Sequence, residues 1–196
     1  CHVNGDITGS QISGIVQEID FTSISKCSFN GLLVNRYINS GGLVGKSTDS
    51  NISESFVYAH IIGGHENTAG LLGRSSRSYI RNCYSRGDFF GPNYTGGLIG
   101  TSYLDSLYYC YTNSVVKGQD GINPIIGGLS NINSPSSVIA CFWNTDTSGI
   151  DQSSVGIGLN NEEMRNIQNY LTQNWDFVNE AGDEDFWKME GDQNNG

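Results

Sequence analysis

One five-residue figure returns along this chain at a nearly fixed interval, and that recurrence limits the possible folds more than any other feature. It reads Ser13-Gly14-Ile15-Val16-Gln17, Gly41-Gly42-Leu43-Val44-Gly45, Ala69-Gly70-Leu71-Leu72-Gly73, Gly96-Gly97-Leu98-Ile99-Gly100 and Gly127-Gly128-Leu129-Ser130-Asn131. The starts lie 28, 28, 27 and 31 residues apart. Eleven residues after each start stands an aliphatic, Ile24, Ile52, Ile80, Leu107 or Val138. Fourteen residues after each start stands Cys27, Ser55, Cys83, Cys110 or Cys141. Both columns hold without a slip, which puts the length variation after them, in one loop that Gly118 to Asn123 illustrate.

Such a repeat is too poor in apolar residues to form its own core and lacks the i, i+3, i+4, i+7 spacing of a helix. Its short β-type runs, punctuated by Gly, Asn and Ser, point to an all-β fold: a parallel β-helix, or β-solenoid, of about five to six coils of ~28 residues. Each coil is expected to hold roughly three short strands stacked ~4.8 Å from the next coil's, and the crossover rule predicts right-handed coiling. Gly5, Gly31, Ala59, Gly87 and Ser114 then mark a tight corner.

Cys1-His2-Val3-Asn4-Gly5 aligns with Cys27-Ser28-Phe29-Asn30-Gly31, so all five cysteines fall in one column. Side chains in an in-register ladder point the same way and rarely reach disulfide geometry, which favours free thiols packed as small apolar groups. A Cys83–Cys110 disulfide is the alternative. No Cys-x-x-Cys or Cys/His spacing suggests a metal, and no cofactor motif is present. With Cys1 on the ladder, the sequence opens inside a coil, as expected of a processed piece of a longer solenoid or of an end that stacks on another molecule. An acylated lipoprotein Cys1 is the competing expectation.

Among 196 residues, 20 acidic against 10 basic side chains argue against a nucleic-acid partner, which needs clustered Lys and Arg. No run approaches the ~18 apolar residues of a membrane span. The charge is uneven: residues 1–145 carry a net −1, and residues 146–196, with 11 acidic and 2 basic groups, a net −9. This divides the chain into repeats (1–145) and an acidic C-terminal cap (146–196).

The pentads at Gly41 and Gly96 resemble the GLUG motif, the Gly-Leu-apolar-Gly repeat of large bacterial cell-surface proteins, among them adhesin-like proteins and stalk regions of some immunoglobulin A1 proteases. Gln17 and Asn131 depart from the pattern at its last glycine. The segments Phe142-Trp143-Asn144, Val155-Gly156-Ile157-Gly158-Leu159, Met164 and Trp175-Asp176-Phe177 look like the tail that follows such repeats. The resemblance implies an extracellular or cell-surface location and a spacer or attachment role. It carries no catalytic residue across.

In the cap, Met164, Ile167, Leu171 and Trp175 share a helical face, and Asn160 with Glu163 forms a capping-box pattern, predicting a helix over about 161–174 that covers the last coil. Asp183-Glu184-Asp185 reads as a solvated turn rather than a calcium loop, and Gly191 to Gly196 as a frayed end. His65-Glu66-Asn67-Thr68-Ala69 fails as a zinc-protease signature because Ala69 replaces the second ligand. Gly45-Lys46-Ser47 fails as a phosphate loop because Ser40 stands where a glycine is required. His2 and His60 lie in different coils and form no acid–base unit.

Two candidate ligand sites remain. Tyr84, Tyr108, Tyr109 and Tyr111 lie close in adjacent coils and could stack on sugars, although Phe56, Tyr84, Tyr111 and Phe142 are better read as a stabilising aromatic ladder. Arg86-Gly87-Asp88 is an integrin-type tripeptide at the expected corner, where the repeat already explains Gly87. The sequence thus favours a non-enzymatic structural or adhesive module of a bacterial surface protein, stacking end to end on itself or on further repeats and meeting a glycan or host surface. A polysaccharide-binding or polysaccharide-processing β-helix is the rival, and it requires charged residues clustered on neighbouring coils. Ice binding fails for want of a Thr column.

Overall fold

A computed structural model describes residues 1–129, 136–180 and 184–189. The chain winds as a parallel β-solenoid of about five turns, its strands distributed over four sheets. Each full coil contributes four strands rather than three. In the second coil these are Ser28–Asn35, Ser40–Gly41, Val44–Thr48 and Asn51–Ser53. The two-residue strand carries no alternating pattern for a sequence to reveal. All pairings are parallel, with Ser28 over Phe56, Phe56 over Tyr84 and Tyr84 over Tyr111. Cys1 belongs to this register, since His2, Val3 and Asn4 pair with Ser28, Phe29 and Asn30.

The corners are not made by the small-residue column. Gly31, Ala59, Gly87 and Ser114 lie inside the long strands, where Gly87 pairs with Ala59 below and Ser114 above. The corners are three columns of mostly non-glycine residues in the left-handed region. They are Gln11, Asn39, Asn67 and Tyr94; Phe21, Asp49, Arg77 and Leu104; and Lys26, Glu54, Asn82, Tyr109 and Ala140. None is β-branched, the class for which that conformation is least accessible. In the last two columns a hydroxyl or thiol on the next residue braces most of the turns by donating to a carbonyl two residues back. Ser50 Oγ reaches Thr48 O at 2.7 Å, Ser55 Oγ reaches Ser53 O at 2.7 Å, and Cys83 and Cys110 Sγ reach Arg81 O and Tyr108 O at 3.2 Å.

The glycine figure has a packing cause. A Cβ on Gly70 would lie 2.4 Å from Gly97 O in the next coil and 2.4 Å from Ser85 Cβ across the core. Gly42 and Gly97 meet the same obstruction. The backbone turns at this point, so Leu71 and Leu72 both donate to Leu98 O and both side chains are fully buried. Pairing of Ile99 with Ile126 corrects the fifth copy, which is Asn123-Pro124-Ile125-Ile126-Gly127. Asn131 therefore never stood at the last glycine. Pro124, which has no N–H to donate onward, stands at the second position, and Ser153 of the tail bonds to Asn123 beside it at 2.9 Å. Four residues separate Ser102 from Ser106, and eight separate their partners Leu129 and Ser137. The extra length thus lies there and not at Gly118 to Asn123.

Ion pairs join successive coils: Lys26 with Glu54 at 3.4 Å, Asp49 with Arg77 at 2.5 Å, and Lys46 with Glu18; His60 Nδ1 lies 3.5 Å from Asp88 Oδ2. The one buried carboxyl of the corner columns is Asp105, 1% exposed. It accepts the Ser78 N–H at 2.8 Å, the Ser75 hydroxyl at 3.1 Å and the Ser102 hydroxyl. Burial raises its pKa above the ordinary carboxyl range, against the opposing pull of those hydrogen bonds.

The expected helix over 161–174 is broken. Its capping box is present, with Asn160 N–H donating to Glu163 Oε2 and Glu163 N–H to Asn160 Oδ1, both at 2.9 Å. The turn then ends at Asn166, which is extended and restarts the chain as a short helix, Ile167–Leu171, by accepting from Gln168 N–H. The tail does not simply lid the last coil. A short strand, Ile157–Leu159, pairs with Phe142–Asn144 to extend the long-strand sheet by one rung. The rest folds back along the flank, burying Met164, Tyr170, Trp175 and Phe177 against Ala140 and Phe142. Asp183 and Gly191 to Gly196 fall outside the described residues.

Gly70→Ala is expected to destabilise the chain by about 1–3 kcal/mol, the scale of overpacking. Gly45→Ala, whose new methyl first meets the flexible Gln17 amide, should cost less in the same urea titration. Because Asp105 holds its proton to higher pH when folded than when unfolded, the folded chain binds more protons between those two values, and stability falls as pH rises through that window. Asp105→Asn should flatten this decline, whereas Asp105→Ala, orphaning the Ser75, Ser78 and Ser102 donors, should cost about 1–3 kcal/mol at every pH.

Candidate functional site

On a strand facing the core with one side, alternate residues point outward. The long-strand sheet therefore carries two outward columns: His2, Ser28, Phe56, Tyr84, Tyr111 and Phe142, and beside it Asn4, Asn30, Tyr58, Arg86 and Asn113. In the first, Phe56 stacks on Tyr84 with centroids 4.9 Å apart and planes 3° apart, and Tyr84 on Tyr111 at 5.0 Å and 5°. Stacking in register places ring over ring, so these faces are covered by one another. In the second column Arg86 lies over the Tyr58 ring, 5.6 Å from its centroid.

The returning tail turns this sheet face into a groove. Trp175 packs 4.6 Å from Trp187 and donates its indole N–H to Ala140 O at 2.9 Å. Trp187 in turn lies 5.7 Å from Tyr111 and 6.2 Å from Tyr84. The open part, about 430 Å³, is floored by the two outward columns from Asn4 to Asn113 and edged by Lys188 of the tail. Burial raises the pKa of Tyr84 and, more strongly, of Tyr111 above the usual phenol value, so both rings act here as neutral hydrogen-bonding groups.

The structure separates the four tyrosines. Tyr84 and Tyr111 belong to the groove, whereas Tyr108 packs on Tyr79 in another sheet at 5.2 Å, and Tyr109 sits at the corner with its ring edge-on to Trp175 at 6.2 Å. Arg86, Gly87 and Asp88 are strand residues, not a projecting corner: Arg86 is committed to the Tyr58 ring and Asp88 to His60. Tyr58, Asn30 and Lys188 escaped the sequence reading. The +2 alternation from Phe56 and Ser28 was the available signal for the first two, and no local signal placed Lys188 against a sheet seven strands long in its path.

The aliphatic and cysteine columns stack coil over coil. Ile24, Ile52, Ile80, Leu107 and Val138 pair directly one over the next. Phe56, Tyr84, Tyr111 and Phe142 donate their N–H groups to the carbonyls of Cys27, Ser55, Cys83 and Cys110. All five cysteines are free; Cys83, Cys110 and Cys141 are buried, Cys27 is half-buried and Cys1 exposed. Burial pushes the Cys110 thiol well above its ordinary pKa. Ser55 fills the column because its hydroxyl makes the same bracing hydrogen bond and also accepts from Cys27 N–H at 3.1 Å.

Among the described residues no group of three His, Cys, Asp or Glu side chains is placed to hold a metal, and no helix is long and apolar enough to cross a membrane. The chain was compared with family models, curated proteins and solved structures, and none matches it.

A thiol reagent should titrate Cys1 fully and Cys27 slowly in the native chain, with Cys83, Cys110 and Cys141 reacting only on unfolding. Mass spectrometry of the labelled chain reads the order, and early labelling of Cys110 would contradict the buried spine.

Proposed function

We propose that this chain is a non-enzymatic structural and adhesive module of a bacterial surface protein of the GLUG-repeat kind. The observation that carries this reading is the unbroken stack: about five coils joined by four parallel sheets and by ion pairs between successive coils. Such a stack is a stiff quasi-one-dimensional body suited to holding a binding face at a distance. The charged columns support the same reading over a processing enzyme. Lys26, Lys46 and Arg77 each meet a single carboxylate of a neighbouring coil, and among the described residues the one carboxyl with a raised pKa, Asp105, is inside the core and away from the groove. The long outward face beside the tail is then the surface of attachment.

On intact cells of the source organism, an antibody against this chain should label the surface, and added protease should remove the label without lysis. Protection of the chain until the cells are broken would overturn the reading.

A further inference from the structure

The aromatic ladder is interrupted. Phe56 stacks on Tyr84 on one side, while on the other its register partner is Ser28, too small to cover a ring. Tyr58 has Arg86 over one face and Asn30 as its partner on the other side, and it remains 52% exposed. Phe56 and Tyr58 are two residues apart on one strand, so their uncovered faces form a step that looks toward the His2 and Asn4 level. Two rung spacings, roughly 9–10 Å, separate that level from the Phe56 level. One saturated ring fits there at van der Waals distance, ~3.5–4.0 Å, from the aromatic pair.

Polar chemistry around the step is one-sided. Asn30, Arg86 and Lys188 line the same groove, and among the described residues no carboxylate lines it, in a chain whose acidic residues outnumber basic ones by 20 to 10. Asp88 faces a neighbouring depression beside His60. Concentrating cations and amides in one cleft of an acidic molecule selects for an anionic, hydroxyl-rich ligand.

We propose that this step binds an acidic oligosaccharide, one sugar ring stacked on Phe56 and Tyr58 as the missing rung, with Asn30 bonding its hydroxyls and Arg86 facing a carboxylate along the chain. The inference deepens the adhesive half of the proposed function and rests on it. The C–H face of a pyranose is apolar and packs on aromatic rings, while its rim needs the amide and cationic partners the groove supplies.

Calorimetry with the full chain tests it, using three uronate tetrasaccharides (galacturonate, mannuronate and a hyaluronan fragment), neutral cellotetraose and an eight-nucleotide thymidine strand as probes. At least one uronate should bind with a Kd below about 1 mM. Tyr58→Ala should weaken it about tenfold, and Arg86→Gln about fivefold with a shallower salt dependence. Ser28→Tyr gives up the hydrogen bond to the His2 ring at 2.7 Å but sets an aromatic ring over Phe56, and it should abolish binding while keeping the circular-dichroism spectrum. Tyr79→Ala, on another sheet, should change nothing. Failure of all three uronates at about 10 mM, equal binding of cellotetraose, tighter binding of the oligonucleotide, or indifference to both Tyr58→Ala and Ser28→Tyr would each overturn the proposal. A surface-located, folded chain that fails here loses this site and keeps its scaffold role; an intracellular chain loses the scaffold role whatever it binds.

Discussion

In-register parallel pairing is the constraint from which the rest follows. In this arrangement the nearest neighbour of a side chain along the axis is its own counterpart one coil away. Whatever a position requires, it requires at each turn, and two identical demands must be compatible at the strand spacing. Aliphatic columns satisfy this by packing, aromatic columns by stacking near parallel, and several charged positions by meeting the opposite sign one coil away, as Glu18 does with Lys46 and Asp49 with Arg77, although Arg74 follows Lys46 in the first of these columns. Exposed pairs of this kind contribute little to stability individually. They matter for register, because a shift of one residue would turn each outward column toward the core.

The same geometry explains why glycine and cysteine recur. Glycine at the second position of the figure is dictated by the carbonyl of the next coil, which occupies the space of a Cβ. Cysteine follows the left-handed corner because the site wants a small group that fills the interior and donates to the carbonyl two residues back. Ser55 meets both needs and is no exception. Asp105 meets the steric need at the other corner; its oxygens accept the Ser75 and Ser102 hydroxyls and the Ser78 N–H, while its own N–H donates to Ser136 Oγ.

Periodicity made the solenoid, the aliphatic column and the sulfur column legible, because each is a repetition of side-chain type. What escaped was set by backbone geometry or by distant packing. Ser40–Gly41 is too short to announce itself as a strand. The decoy at Gly127-Gly128-Leu129 matched the figure in letters while the hydrogen bonds chose Pro124 and Ile125. The break at Asn166 lies within a good helical pattern, overridden once Tyr170 and Trp175 dock on Phe142. The groove exists only because residues near 187 return to rings a hundred positions earlier, and no local pattern encodes that meeting.

Consider finally the place where four added residues enter between Leu129 and Ser137. The strands before and after that insertion keep their partners, Ile126 on Ile99 and Val138 on Leu107. The corresponding bends in lower coils, at Phe21, Asp49, Arg77 and Leu104, stand one above another. A foreign peptide grafted into several of them would be presented as a regular comb, its teeth set by the pitch of the stack, so avidity could be tuned by the choice of which bends to lengthen.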